Sequence, residues 1–479
     1  MNKKTHIQDK TAANIESIQI NEFKQDFNVS KEIRYKFGEI NTPFMLIEKM
    51  LGLFDSGHFK NPNKKWLDIG TGSGYFSFIL FKKLFEGLSE VIIDTKERRN
   101  HIIQNMMYMS EIRPENCIKI SSLFGENCNL YCGDFLSLNI SETFDFVIGN
   151  PPYNNNGLKK VPTNILSDKK TDGETVWIPF IKKSVDLLAP NGEMVVIIPS
   201  IWLKPDKAKM YDFMNSYKLE KIHCMNNTET NKIFNGYAQT PTCWFLFTKT
   251  PSLGYVTIYD KAIGGFIEWS VTARQPIPVF GASVLQKVNK YLNQETKLTV
   301  LKTNLPPSKC KLSEIQSKSF MFPNVKTCQL NKLTPELIIN YSNIQLPFSD
   351  DKPKIIMAHK MYGFPYIDVS GIYGISNRDN YIIQDMSLDE LERISEFLST
   401  KTALYLFEST RYRMKCLEKY IFELIPNINK IPDFPDQITD ESIAEFFGFN
   451  ELERYAIQSL HKKSYNFINR MHNDQKDFQ

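Results

Sequence analysis

Long apolar runs are missing from these 479 residues. No stretch approaches the ~20 consecutive apolar side chains that a membrane-spanning helix needs. The opening residues, MNKKTHIQDK, are charged and lack an apolar centre, so no secretory signal is expected and a cytoplasmic location is. An excess of one charge is also missing. Lysine and arginine number 58 against 54 acidic residues, a net charge of +4. That excludes a uniformly basic coat but leaves room for a basic face confined to one cleft. Cysteines are few and scattered: of the eight, Cys128 and Cys132 lie closest, with no second pair at zinc spacing. Reduced, buried thiols and no metal are expected. There is no internal repeat and no long low-complexity tract. What remains is a composition of 42% hydrophobic and 23% charged residues, that of a soluble globular protein. The length exceeds what one ordinary core accommodates, so two domains are expected.

The most informative stretch is FDFVIGNPPYNNNG, Phe144 to Gly157. Phe144, Phe146, Val147 and Ile148 read as a buried strand of a parallel sheet that stops at Gly149. Asn150, Pro151, Pro152 and Tyr153 follow where the chain leaves the sheet, at the end where open α/β sheets place ligands. Two prolines stiffen the turn and remove two donors, leaving carbonyl acceptors. Beside them stand an amide oxygen and a flat aromatic ring. A rigid acceptor pair next to an aromatic plate suits a planar ring that carries an amino group. The bland alternative is an Asn-Pro turn after a strand.

These four residues resemble the Asn-Pro-Pro-Tyr signature of amino-group methyltransferases that use S-adenosylmethionine. The resemblance implies that Asn150 and the Pro151 carbonyl accept the two amino hydrogens and that Tyr153 stacks on a flipped base, with Pro152 completing the catalytic motif. Upstream, WLDIGTGSGYF carries Gly70, Gly72 and Gly74 in a turn between a strand and a helix, where glycine allows backbone to approach a ligand. It resembles the cofactor loop of the same enzymes, with Asp68 accepting from the cofactor amino group directly or through water. Gly38 to Pro43, GEINTP, resembles the "GE-x-x-TP" segment of adenine methyltransferases of restriction–modification systems, which lines the methionine end of the cofactor. Read from its residues alone, Thr42 caps an amphipathic helix with Pro43 in its first turn.

A ribose-binding carboxylate is expected at the end of the next strand. Asp94, ending EVIID, lies nearer the usual spacing; Glu111 ends MMYMSE. The resemblance favours Glu111 through the pattern Tyr-x-x-acidic-Ile-x-Pro, and leaves Asp94 as a charge at a helix start. Asp134 and Phe135 then resemble the pair that grips the cofactor adenine, although Phe135 also reads as ordinary core.

The resemblance, strong over residues 36 to 250, implies a Rossmann-like α/β methyltransferase fold. Its sheet would be mostly parallel and seven-stranded, followed by a C-terminal mixed α+β recognition domain. Expected boundaries are a flexible arm over 1–28, a catalytic domain over 29–255 and a DNA-binding target-recognition domain over 256–479. The long polar stretch after Tyr153 offers Lys159 and Lys160 to phosphates. A β-rich segment contributes Lys354, Lys360 and Arg378. A helical tail, read as one long helix over KTALYLFESTRYRMKCLEKYIFELI, contributes Arg411, Arg413 and Lys415, with Lys462 and Lys463 further on. LKTNLPPSKCKLSE reads as a linker. The expected activity is methylation of adenine N6 in double-stranded DNA by base flipping, with a separate restriction endonuclease as a candidate partner. The same motif also resembles enzymes that methylate RNA adenine or a protein glutamine amide. A catalytically degenerate nucleic-acid-binding subunit is a further alternative.

Overall fold

The computed structural model describes residues 15–18, 20, 29–156, 174–331, 334–359, 365–413 and 417–462. The chain divides between Ile258 and Tyr259 into two compact units.

The first unit is organised on seven strands: β1 (Trp66–Ile69), β2 (Met107–Glu111), β3 (Asn129–Cys132), β4 (Phe144–Gly149), β5 (Leu188–Pro199), β6 (Tyr217–Met225) and β7 (Thr242–Pro251). They run in the order β3-β2-β1-β4-β5-β7-β6, and the sheet is wider than the seven strands expected, since the strand Tyr255–Asp260 pairs in parallel with β6, Ile258 opposite Ile222. The five from β3 to β5 are parallel neighbours. β7 enters antiparallel between β5 and β6. The order reverses between β1 and β4, which makes that junction the topological switch point of the sheet. β1 and β4 are almost wholly buried, which is why their sequences are continuous apolar runs rather than alternating ones.

One face of the sheet is built on aromatics. Trp66 stacks on Phe146 with ring centroids 4.0 Å apart and on Phe59 at 5.1 Å. The helix Tyr75–Gly87 buries Phe76, Phe78, Leu80, Phe81 and Leu84. The helix Phe44–Leu51 joins it through Phe44, which meets the Tyr75 and Phe78 rings at 5.4 and 5.8 Å. Between β1 and β2 the helix Thr95–His101 is capped by the Asp94 carboxylate, which accepts from the Glu97 N–H at 2.8 Å. Asp94 therefore opens a helix, and Glu111 is the acidic residue that ends the neighbouring strand.

The second unit holds two four-stranded sheets. One orders Leu301–Lys302, Asn380–Ile383, Lys354–Ala358 and Pro365–Asp368; the other orders Leu312–Ser313, Thr334–Ser342, Phe322–Asn331 and Gly374–Ile375. The stretch expected as a linker is part of this fold. Leu301–Lys302 and Leu312–Ser313 pair in the sheets, and buried Thr303 donates its hydroxyl to the Asn377 carbonyl at 2.7 Å. The expected long tail helix is also corrected. It ends at Ser409, and a 3-10 turn follows only at Lys419–Glu423. The chain leaves the helix to bury Tyr412, whose hydroxyl donates to the Ile277 carbonyl at 2.6 Å. Among the described residues no helix is long and apolar enough to cross a membrane.

Candidate active site

The carboxyl ends of β4, β1, β2 and β3 lie side by side, and each delivers one group singled out in the sequence. β4 ends at Asn150, β1 at the glycine loop, β2 at Glu111 and β3 at Asp134. With strands ~4.8 Å apart, these ends span roughly 15 Å, the scale of an elongated nucleoside ligand. Between them lies a cavity of about 300 Å³ lined by Thr42, Gly70, Gly72, Glu111, Asp134, Phe135, Asn150 and Pro152, among others.

Gly70, Gly72 and Gly74 all take positive φ. At Gly72, φ is +60° and its N–H donates to Glu111 Oε2 at 2.7 Å, so a side chain there would strain the loop beside the Glu111 carboxylate. The other Glu111 oxygen accepts from the Arg113 N–H at 2.8 Å. Burial raises the Glu111 pKa; these two donors oppose that rise, and the nearby Glu39 charge adds to it.

Asp134 turns its carboxylate onto its own loop, accepting from the Leu136 N–H and the Ser137 hydroxyl. Phe135 is buried, its ring 5.0 Å from Phe180. Lys183 fixes this loop by donating to the Phe135 and Leu138 carbonyls, both at 2.5 Å.

Asp68 departs from expectation. It is 1% exposed, lies beneath the loop rather than on the cavity wall, and accepts from the Ser77 hydroxyl at 2.7 Å. Burial pushes its carboxyl up to about 7, against the Ser77 bond and aided by Glu111. Thr42 departs as well. The helix starts at Phe44 after Pro43, with no side-chain cap. Thr42 instead accepts from Asn150 Nδ2 at 3.0 Å, and the Ile40 carbonyl accepts from the same nitrogen at 3.3 Å. A carbonyl can only accept, so this end of the amide must be the NH₂. Both amide hydrogens are committed, which leaves the Asn150 oxygen as an acceptor.

Pro151 and Tyr153 do not line the large cavity. With Asn150, Gly38, Ile40, Phe234 and Ala238 they line a second one of about 10 Å³, room for about one water. The Tyr153 ring is half-buried and its hydroxyl reaches the Ile197 carbonyl at 3.4 Å; burial raises its pKa.

The candidate phosphate contacts fare unevenly. Lys159, Lys160, Lys360, Lys415 and Lys463 lie outside the described residues, and of Lys462 only the backbone is described. Arg378 is exposed. Arg413 is 57% exposed, 3.6 Å from Glu418 Oε1. Arg411 is largely buried and holds Glu408 at 2.8 Å, so its guanidinium is turned inward rather than toward phosphates. Lys354 is fully buried against Asp368 at 2.7 Å and is likewise a structural cation.

Several residues of the cavity escaped the sequence reading. Phe37 and Phe180 are wall aromatics, and buried Ser110 presents a hydroxyl with no hydrogen-bond partner among the described residues. Ser110 immediately precedes Glu111, so its place on the strand was the available signal. Glu39 and Arg113 stood inside the quoted patterns, yet nothing in the sequence shows that they meet.

Residues 82–234 match the family described as Eco57I restriction-modification methylase. The chain is 28% identical over 206 residues to the Type II methyltransferase M.AccI of Acinetobacter calcoaceticus, covering 41% of this chain and 34% of that one. It is 29% identical to the tRNA1(Val) (adenine(37)-N6)-methyltransferase of Vibrio vulnificus (strain YJ016), covering 28% of this chain and 50% of that one. The chain thus spans half or less of the length of these curated relatives. Among solved structures, the Type I restriction enzyme EcoKI M protein overlays with a TM-score of 0.34 at 19% identity, covering 46% of this chain and 48% of that chain.

Proposed function

We propose that this chain transfers a methyl group from S-adenosylmethionine to the exocyclic amino group of adenine in DNA. The observation that carries the reading is the fixed Asn150 amide. Its two hydrogens are bound by Thr42 and Ile40, and it stands on the walls of both cavities. It is an acceptor set between a space for the cofactor and a space for the base.

The large cavity fits the cofactor chemically. Its volume of about 300 Å³ is that of a small-molecule site. Glu111 is placed to meet ribose hydroxyls, the Ser110 hydroxyl, without a partner among the described residues, is at hand, and Phe135 lies in the wall where the adenine would rest. S-adenosylmethionine, when bound, supplies an electrophilic methyl group. The Asn150 oxygen and the Pro151 carbonyl accept the amino hydrogens of the target base and turn its nitrogen lone pair toward the methyl donor. Tyr153 supplies the stacking plate. No strong base is required, because positioning provides most of the rate and the amino proton passes to water. A cavity of about 10 Å³ does not admit a purine, so Phe234 and Ala238 must yield when the base enters. Double-stranded DNA is the proposed partner, read by residues 256–479, with a separate restriction endonuclease in the same system.

A second reading is supported by the likeness to a tRNA adenine-N6 methyltransferase: the same pocket acting on RNA adenine. One experiment separates the two. Purified protein is incubated with methyl-labelled S-adenosylmethionine and either unmethylated bacterial genomic DNA or total tRNA, and the nucleosides are resolved. N6-methyldeoxyadenosine in the DNA is the expected product. Label in tRNA alone selects the RNA reading, and label in neither removes both.

A further inference from the structure

The segment Gly38–Ile40 is the wall between the two cavities, since Gly38 and Ile40 line both. Its backbone is fixed. Gly38 has φ +68°, and a Cβ there would lie 2.2 Å from the Asn154 carbonyl oxygen, which belongs to the strand just after Tyr153. On the base side, Ile40 and Thr42 hold the Asn150 amide. On the cofactor side, Glu39 Oε2 accepts from Arg113 Nη1 at 2.5 Å and from Asn116 Nδ2 at 3.3 Å. Glu39 and Arg113 have side chains only 11% and 12% exposed. The Arg113 backbone N–H in turn holds Glu111, and Glu111 holds Gly72.

We propose that the buried Glu39–Arg113 ion pair positions Asn150 in response to occupancy of the cofactor cavity. The route is short. A ligand drawn to Glu111 tightens the Glu111–Arg113 turn. Arg113 fixes Glu39, and Glu39 fixes the two residues, Ile40 and Thr42, that orient the Asn150 amide. Arg113 thus touches both carboxylates, Glu39 through its guanidinium and Glu111 through its backbone N–H. Both partners also line the cofactor cavity, so the pair lies where a bound ligand can act on it, and removing one partner leaves the other's charge largely screened from water. Neither residue reaches the reacting atoms by this route; both are positioning residues.

This inference rests on the methyltransferase reading, and the test keeps the two apart. Full-length wild type, Glu39→Gln, Arg113→Met and the double variant are assayed with labelled S-adenosylmethionine on unmethylated genomic DNA and on tRNA. Cofactor KM and kcat are separated, and melting temperature is recorded. In parallel, DNA affinity is measured with and without S-adenosylhomocysteine. Wild type should bind DNA more tightly when S-adenosylhomocysteine is present, by a factor in the ~5–150 range of site-to-site couplings. Each single variant should lose that gain and show a lower kcat at saturating cofactor, and the double variant should be no worse than either single. Glu39→Gln keeps the side chain's shape, so a folded protein with reduced kcat distinguishes positioning from collapse. Variants that raise only cofactor KM, with kcat and coupling intact, overturn the proposal. If methyl groups go to RNA rather than DNA while the variants still lose kcat, the ion-pair inference stands and the DNA reading falls.

Discussion

Replacing Glu111 by alanine tests the centre of the cofactor assignment. Its carboxylate, 5% exposed, accepts two backbone N–H groups at 2.7 and 2.8 Å, and each oxygen keeps a lone pair for a ligand hydroxyl. A hydrogen bond to a charged group is worth ~1.5–3 kcal/mol in a buried setting. Gly72 and Arg113 are half-buried, so water replaces part of what they lose. That leaves ~1–3 kcal/mol against the order of the glycine loop. If Glu111 holds the ligand hydroxyls as proposed, their loss should weaken S-adenosylhomocysteine binding by ~1–3 kcal/mol, about fivefold to 150-fold. Glu111→Gln should fare little better, because its NH₂ would face one of two N–H donors. Asp94→Ala is the control. It removes a helix cap and should lower stability by ~0.5–2 kcal/mol while leaving ligand affinity within about twofold. Calorimetry of S-adenosylhomocysteine binding, with melting temperatures for each protein, reads both quantities. A larger affinity loss in Asp94→Ala than in Glu111→Ala would refute the ribose assignment.

Three further outcomes follow from named side chains. Asn150→Ala should lower methylation turnover by ~10²–10³, the scale of removing one preorganised transition-state contact, whereas Tyr153→Phe should retain most activity; normal turnover by Asn150→Ala would reduce this loop to a turn. Asp68, with its folded pKa raised from 3.8 to about 7, binds a proton more readily when folded, so stability should fall as pH rises between those values. Asp68→Asn should flatten that slope in melting curves, and an unchanged slope would place the titration elsewhere. Lys354→Ala should destabilise the second unit by ~1–3 kcal/mol, because Asp368 loses its counter-charge but keeps bonds from the Ser370 hydroxyl and the Gly371 and Tyr373 N–H groups; urea unfolding with a loss below ~0.5 kcal/mol would return Lys354 to the surface.

The β4 strand and its Asn-Pro-Pro-Tyr turn were legible because both are local. An apolar run, a glycine and two prolines settle the backbone without help from distant residues. The glycine loop was legible for the same reason. Thr42 shows where locality fails. The capping rule is a good local rule, yet a bond to Asn150, 108 positions away, took the hydroxyl instead. Lys354 fails similarly: in the strand KIIMA a lysine reads as an edge charge until Asp368 of the neighbouring strand arrives opposite it. The helix break after Ser409 was invisible because its cause, a site for Tyr412 at Ile277, is 135 positions away. Asp68 was placed correctly on its strand but given the wrong side of the loop, since sequence spacing does not say whether a carboxylate faces ligand or Ser77.

The clamp on the Asn150 amide has a consequence for the integrity of the genetic text. Adenine deaminates spontaneously to hypoxanthine, exchanging its amino group for a keto oxygen. A freely rotating asparagine could turn its NH₂ toward that oxygen and accommodate the lesion. Here the NH₂ is held by Thr42 and Ile40, so a keto oxygen would meet another oxygen, with lone pairs opposed. Leaving polar groups unmatched in a closed pocket is how a site built for hydrogen bonds rejects a near-isostere. On the proposed function, hypoxanthine has no amino nitrogen to receive a methyl group in any case, and the held amide adds that the lesion does not dwell in the pocket and block it.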